Sequence, residues 1–250
     1  MPSLSVVIVA QDEARTIARV LAAVSPLADE ILLVDSGSTD GTIAIATDGG
    51  ARVVHQDWLG YAAQKNFAID LAVNDWILSL DADEILSPEL AEEIKSLMHS
   101  GELENFDGYR IPRVLFIGDT AIRHGGFYPD AQLRLFKRSM GRFNDRLVHE
   151  AVRVPGAVGT LRHDLLHYAY PDVAAFTAAM EKYARLSATE YKKSGNNGWR
   201  AHPVNELLHP VWTFFYRFVV RRGFLDGELG WRLNAIYSDY VRNKIRYTRL

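Results

Sequence analysis

Three short acidic stretches carry the residue types best suited to chemistry: Gln11-Asp12-Glu13, Asp35-Ser36-Gly37-Ser38-Thr39-Asp40-Gly41-Thr42 and Asp81-Ala82-Asp83-Glu84. Each directly follows an apolar run. Carboxylates repel a diphosphate unless a divalent cation bridges them, which makes Asp81-Ala82-Asp83 a candidate metal and diphosphate site. A single D-x-D is common in solvated loops, and the stretch from Asp35 to Thr42 alone reads equally well as a turn entering a helix cap. Three such loops, each on its own strand and all within 84 residues, are much harder to obtain by chance. Neither G-x-G-x-x-G nor G-x-x-x-x-G-K-[ST] follows the first apolar run, which argues against a pyrophosphate cradle made only of backbone amides.

In an open parallel sheet, ligands bind outside the carboxyl ends of the strands, so the loops imply strands that deliver them to one edge. Strands are predicted over Leu4 to Ala10, Glu30 to Asp35, Ala51 to Val54 and Trp76 to Asp81. Helices are predicted over 14–24, after Gly41 and near 61–72. The alternation implies a mostly parallel α/β sheet. Ser87-Pro88 signals a helix start, and Leu90, Ile94, Leu97 and Met98 repeat at helical spacing behind it. From 108 to 170 the pattern turns to strands of mixed topology, including Tyr109 to Val114 and Gln132 to Phe136. Beyond Pro171 it is helical, interrupted at 194–198 and at a turn from Gly223 to Gly227, with Pro203 and Pro210 expected to break the helix into short pieces.

Composition narrows the function classes. The 250 residues contain no Cys, which excludes disulfides, thiolate zinc sites and thiol nucleophiles, and suits a reducing cytosol. A net charge of -3 argues against a chain built to coat nucleic acid. The charge is uneven: residues 200–250 hold nine Lys or Arg against four Asp or Glu. In that tail Trp212, Phe214, Phe215, Phe218, Val219 and Phe224 sit among Arg217, Arg221 and Arg222. Such a mix suits either a helix in a membrane interface or one packed on the domain or a second subunit. The longest apolar stretch, from Pro210 to Val220, is too short to span a bilayer, and the N-terminal run reads as a buried strand.

Val6 to Glu13, Val34 to Thr42, Gln64-Lys65-Asn66 and Leu80 to Glu84 together resemble the GT-A glycosyltransferases of family 2. Gly126-Phe127-Tyr128-Pro129-Asp130, Gln132 to Lys137 and Val148-His149-Glu150 extend the resemblance to a bacterial subgroup of lipopolysaccharide-core β-1,4-glucosyltransferases. The resemblance implies a Rossmann-like, mostly parallel mixed sheet flanked by helices over 1–170, with a helical C-terminal region over 171–250. It implies an inverting, metal-dependent transfer of a hexose, with glucose from UDP-glucose the leading donor, to a lipid-linked or lipopolysaccharide-core acceptor. The enzyme would then sit in the cytoplasm, peripherally on the inner membrane. Carried over residue by residue, Ala10 and Glu13 line the nucleotide pocket, Asp35 meets base or ribose, and Lys65 lies near the nucleotide. Asp81 meets the ribose or a metal-bound water, Ala82 lies between the carboxylates, and Asp83 ligates Mg²⁺ or Mn²⁺. Ser36 departs from the second Asp of many relatives.

An inverting transfer needs a general base for the acceptor hydroxyl. The second half offers Glu150 first, Asp145 second, and Asp130; Glu150 could instead pair with Arg146 or Arg153. Gln132 and Arg134 alternate with Leu133 and Leu135 and so share one strand face, directed at diphosphate or acceptor. His163 and His167 have the i, i+4 spacing of helix-borne ligands without an H-E-x-x-H motif, and His167 is retained as a third candidate in the metal shell by the resemblance. Two other classes compete: a nucleotidyltransferase, which would want a Gly-rich basic loop after the first strand, and a non-catalytic membrane-binding module with a degenerate site.

Overall fold

The computed structural model describes residues 2–144, 151–193 and 202–249. In chain order the elements are β1 (Leu4–Ala10), α1 (Ile17–Val24), β2 (Glu30–Asp35), α2 (Thr42–Asp48), β3 (Arg52–His55), α3 (Tyr61–Leu71), β4 (Trp76–Asp81), β5 (Glu84–Leu86), α4 (Pro88–Ser100) and β6 (Gly108–Ile111). There follow β7 (Arg113–Ile117), β8 (Thr120–Ile122), β9 (Gln132–Lys137), β10 (Arg142–Phe143), β11 (Val152–Arg153), β12 (Val158–Thr160) and β13 (Leu165–Tyr170). Helices α5 (Val173–Lys193), α6 (Pro203–Phe215) and α7 (Gly227–Arg249) complete the chain.

The residues form two compact units, one of Met1–Arg113 with Asp130–Ala169, the other of Val114–Pro129 with Tyr170–Leu250. The first holds a seven-stranded sheet ordered β12-β6-β9-β4-β1-β2-β3. Strands β4, β1, β2 and β3 run parallel, and β9 is antiparallel to both β4 and β6. This is the mostly parallel mixed α/β sheet expected from the alternation of apolar runs and helical patterns. Strands covered on both faces read as continuous apolar runs, and β1 and β4 are buried almost throughout. One face is filled by Val20, Leu21, Leu90 and Ile94 from α1 and α4; the other is filled by Ala68 and Ile69 from α3 with Phe136 and Phe143. The predicted start of α4 is realised: Ser87 Oγ accepts a hydrogen bond from the Leu90 amide at 3.1 Å, and Gly101 ends the helix at φ 78°.

In the second unit β7 and β8 form an antiparallel hairpin whose Ile117 and Ile122 are buried with Phe176 of α5 and Leu233 of α7. One expectation fails there. Pro210 does not break α6: it is buried inside a continuous helix, where its carbonyl accepts a 2.6 Å hydrogen bond from Ser238 Oγ of α7 and Glu206 pairs with Arg249. Tertiary packing thus outweighs the helix-breaking tendency of proline. Arg217 does not share the exposed surface with Arg221 and Arg222. Its guanidinium carbon lies 4.3 Å from the Phe127 ring centre and 3.8 Å from that of Tyr237, and its Nε donates to Asn234. No helix among the described residues is long and apolar enough to cross a membrane.

Candidate active site

Strand register brings the acidic loops to one edge, because Ala10 lies opposite Asp35, and Val9 lies opposite both Val34 and Asp81. The first two loops are stitched together by hydrogen bonds. Asp12, in the left-handed region at φ 56°, donates its amide to Ser38 Oγ at 2.9 Å and accepts from the Thr39 amide at 2.7 Å. The Glu13 amide donates to Thr42 Oγ1 at 2.8 Å and the Ala14 amide to Asp40 Oδ2 at 3.1 Å. Burial, followed by the nearby Asp83 carboxylate, raises the pKa of Glu13.

Asp35 is fully buried. Its Oδ2 accepts from the amides of Gly37 at 2.8 Å and Ser38 at 2.9 Å. Burial pushes its pKa up, but hydrogen bonds from Ser38 and Gly37 outweigh that and hold the carboxyl below its ordinary value. Its Oδ1 is buried without a hydrogen-bond partner among the described residues. Next to it, Ser36 Oγ accepts from Nε2 of Gln64, a fully buried side chain that also donates to the Gln56 carbonyl at 2.9 Å. Where a second Asp would stand, Ser36 therefore serves the packing of α3.

The third loop is the centre of an alternating charge array. Lys65 Nζ lies 2.7 Å from Asp81 Oδ1, and Arg134 Nη2 lies 2.7 Å from Asp81 Oδ2. Arg134 also reaches Glu84 Oε1 at 2.5 Å, and Arg113 Nη1 donates to the same oxygen at 2.8 Å. Arg113 then pairs with Asp130 at 2.5 Å, and Gln132 donates to the other oxygen of Asp130 at 2.7 Å. Burial alone would raise the pKa of Asp81; Arg134, Lys65 and Arg113 hold it well below the usual carboxylate range. Burial likewise opposes the charge of Arg134, and the carboxylates of Asp81 and Glu84 more than compensate, holding its pKa up. Arg134 keeps one buried donor, Nε, without a partner among the described residues.

Asp83 lies on the other side of the turn. Antiparallel pairing of β5 with β13 sets His167 opposite Glu84, and the Tyr168 amide donates to the Asp83 carbonyl at 2.9 Å. His167 Nε2 consequently stands 3.4 Å from Asp83 Oδ2, both side chains about one-fifth exposed. His167 is thus strand-borne, not helix-borne, and His163 lies in the preceding loop, where its amide bonds Glu93. Among the described residues no three His, Asp or Glu side chains converge on one cation position. The Asp83 carboxylate is a ligand type that suits Mg²⁺ or Mn²⁺, and an imidazole stands beside it. Both oxygens of Asp81 are engaged by cations instead.

Ala10 and Ala82 are buried small residues at the ends of β1 and β4. Glu150 and Asp145 lie outside the described residues. Glu84, Arg113 and Gln64 belong to this constellation without having been assigned a role from spacing; Glu84 carried a weak signal as the third carboxylate of its loop, Arg113 none.

The profile of glycosyl transferase family 2 matches residues 5–153. An uncharacterized glycosyltransferase of Rickettsia felis is 32% identical over 248 residues, covering 95% of this chain and 86% of that protein. The lipopolysaccharide core biosynthesis glycosyltransferase LpsC of Rhizobium meliloti is 30% identical over 227 residues, covering 86% of this chain and 82% of that protein. A glucosyl-3-phosphoglycerate synthase from Mycobacterium tuberculosis, solved in complex with Mn²⁺, UDP and phosphoglyceric acid, is similar at a TM-score of 0.47 and 20% identity over 68% of this chain and 72% of that one.

Proposed function

The chain belongs to glycosyltransferase family 2 and is a glycosyltransferase, and from that premise we propose an inverting, metal-dependent transfer of a hexose, glucose from UDP-glucose, to a lipid-linked or lipopolysaccharide-core sugar. The observation that carries the reading is the juxtaposition, at the turn between β4 and β5, of a cation-saturated Asp81 with an Asp83–His167 pair. The likeness to LpsC supports the choice of acceptor class. Asp35 accepts a donor from base or ribose through its free Oδ1, beside Ala10 and Glu13. Lys65 and Arg134 neutralise Asp81, so the loop approaches a diphosphate without its full negative charge. Asp83 and His167 would hold Mg²⁺ or Mn²⁺, while Asp81 is itself held by Lys65 and Arg134. When bound, that ion offsets the charge developing on the leaving diphosphate.

The acceptor hydroxyl oxygen attacks the anomeric carbon while its proton passes to a carboxylate, and the bond from that carbon to the phosphate oxygen breaks. Glu150 is the base by its place in Val148-His149-Glu150, with Asp145 second. Asp130 is a poorer base: burial raises its pKa, but Arg113 overrides burial and holds it low. We place the enzyme on the cytoplasmic face of the inner membrane, where a lipid-linked acceptor would be presented.

Donor hydrolysis without acceptor, measured over UDP-, GDP- and dTDP-sugars with Mn²⁺, Mg²⁺ and then EDTA, tests the reading. We expect turnover of UDP-glucose that EDTA removes, and loss of at least about a hundredfold in Asp83→Ala with an unchanged melting temperature. Retained metal-dependent turnover in that variant would overturn the assignment of Asp83.

A further inference from the structure

The second unit presents an apolar face that its own core does not use. At 3.6 residues per turn Val204, Leu207, Leu208, Val211, Trp212 and Phe215 of α6 fall within an arc of about 140°. All are exposed, Leu207 by 70%, Val211 by 62% and Trp212 by 59%. The face continues through the π-helical turn Tyr216–Val220 to Phe224 and Leu225, which are about half exposed. Between residues 203 and 225 the sole carboxylate, Glu206, is paired with Arg249. With Arg217 turned inward, Arg221 and Arg222 are left exposed at its C-terminal end.

We infer that this face is a docking surface for a bilayer rich in anionic lipid, with Trp212 and the leucines in the boundary between headgroups and acyl chains and Arg221 and Arg222 on the headgroups. A second copy of this chain is the poorer occupant, because the face offers its twin two cations and no free carboxylate. The inference deepens the membrane placement of the proposed function by naming the surface that makes it, and it involves residues distant in sequence from Asp83, so loss of transfer and loss of docking are read separately. The test is flotation of the full chain with vesicles of phosphatidylglycerol and phosphatidylcholine against phosphatidylcholine alone, in parent, in Asp83→Ala and in Leu208→Glu/Val211→Glu. Parent and Asp83→Ala should float with the anionic vesicles, and the double glutamate variant should lose at least about tenfold in partitioning with unchanged circular dichroism. Arg221→Gln/Arg222→Gln should lose about thirtyfold at low salt, the equivalent of about 1 kcal/mol for each cation near an anionic surface. Equal binding to both vesicle types, no flotation at all, or a self-associating species that the glutamates abolish without any vesicle binding would each overturn the inference.

Discussion

Replacing Glu84 by Gln probes whether the charge array, and not the acidic loop alone, organises the site. Glu84 is fully buried and accepts three hydrogen bonds, two at Oε1 from Arg113 and Arg134 and one at Oε2 from the Asp81 amide. The array balances three cations, Lys65, Arg113 and Arg134, against the three carboxylates of Asp81, Glu84 and Asp130. The amide of Gln removes one negative charge from within it. Its NH₂ group also cannot accept, so either the Asp81 amide or the two guanidiniums face a donor. Breaking a buried ion pair by removing one partner costs about 3–5 kcal/mol. For a chain of this size that corresponds to a fall in melting temperature of roughly 6–20 °C. Thermal melting followed by near-ultraviolet circular dichroism reads the effect, and donor hydrolysis at low temperature should fall as Arg134 and the Asp81 loop shift. A melting temperature within about 2 °C of the parent would refute the reasoning, because it would mean that Glu84 carries no net interaction with the arginines.

Asp35→Asn should lower stability by about 1 kcal/mol at neutral pH, since two amide bonds lose a charged acceptor. Because the folded pKa of Asp35 lies below its ordinary 3.8, this contribution is present above that value and is lost as pH falls through the folded pKa. Urea midpoints of parent and variant should therefore converge as pH falls below 3.8, and a constant gap would count against the hydrogen-bonded carboxylate. In the second unit, a Cβ on Gly230 would stand 2.1 Å from the Gly223 carbonyl oxygen, a backbone atom that cannot swing aside. Gly230→Ala should cost about 1–3 kcal/mol in chemical denaturation, and a neutral result would show that the turn before α7 can move freely.

Much of the first unit is readable from spacing because strands buried on both faces are written as near-continuous apolar runs, as in Val6 to Ala10 and, broken by Ser79, Trp76 to Leu80. The acidic loops announce themselves by following those runs. What spacing does not carry is pairing at long range. Glu84 looks like one more loop carboxylate until guanidiniums from positions 113 and 134 arrive, 29 and 50 residues further on. Ser36 shows only an altered motif, whereas its hydroxyl is spoken for by Gln64. Pro210 carries a strong local signal that the contact with α7 overrides, and Arg217 has no local mark separating it from Arg221, although its neighbours Phe127 and Tyr237 decide which way it turns.

The segment from Val114 to Pro129 interrupts one compact unit yet belongs to the other, and this has a consequence for synthesis on the ribosome. The β7–β8 hairpin emerges with Ile117 and Ile122 ready to be covered, but Phe176 and then Leu233, which cover them, are translated later. At roughly 5–20 residues per second the hairpin waits on the order of ten seconds for α7. During that interval β8, an edge strand of its sheet, is open to wrong pairing. A gene cut after residue 169 would make the interval permanent, leaving the hairpin attached to a finished sheet with no core of its own.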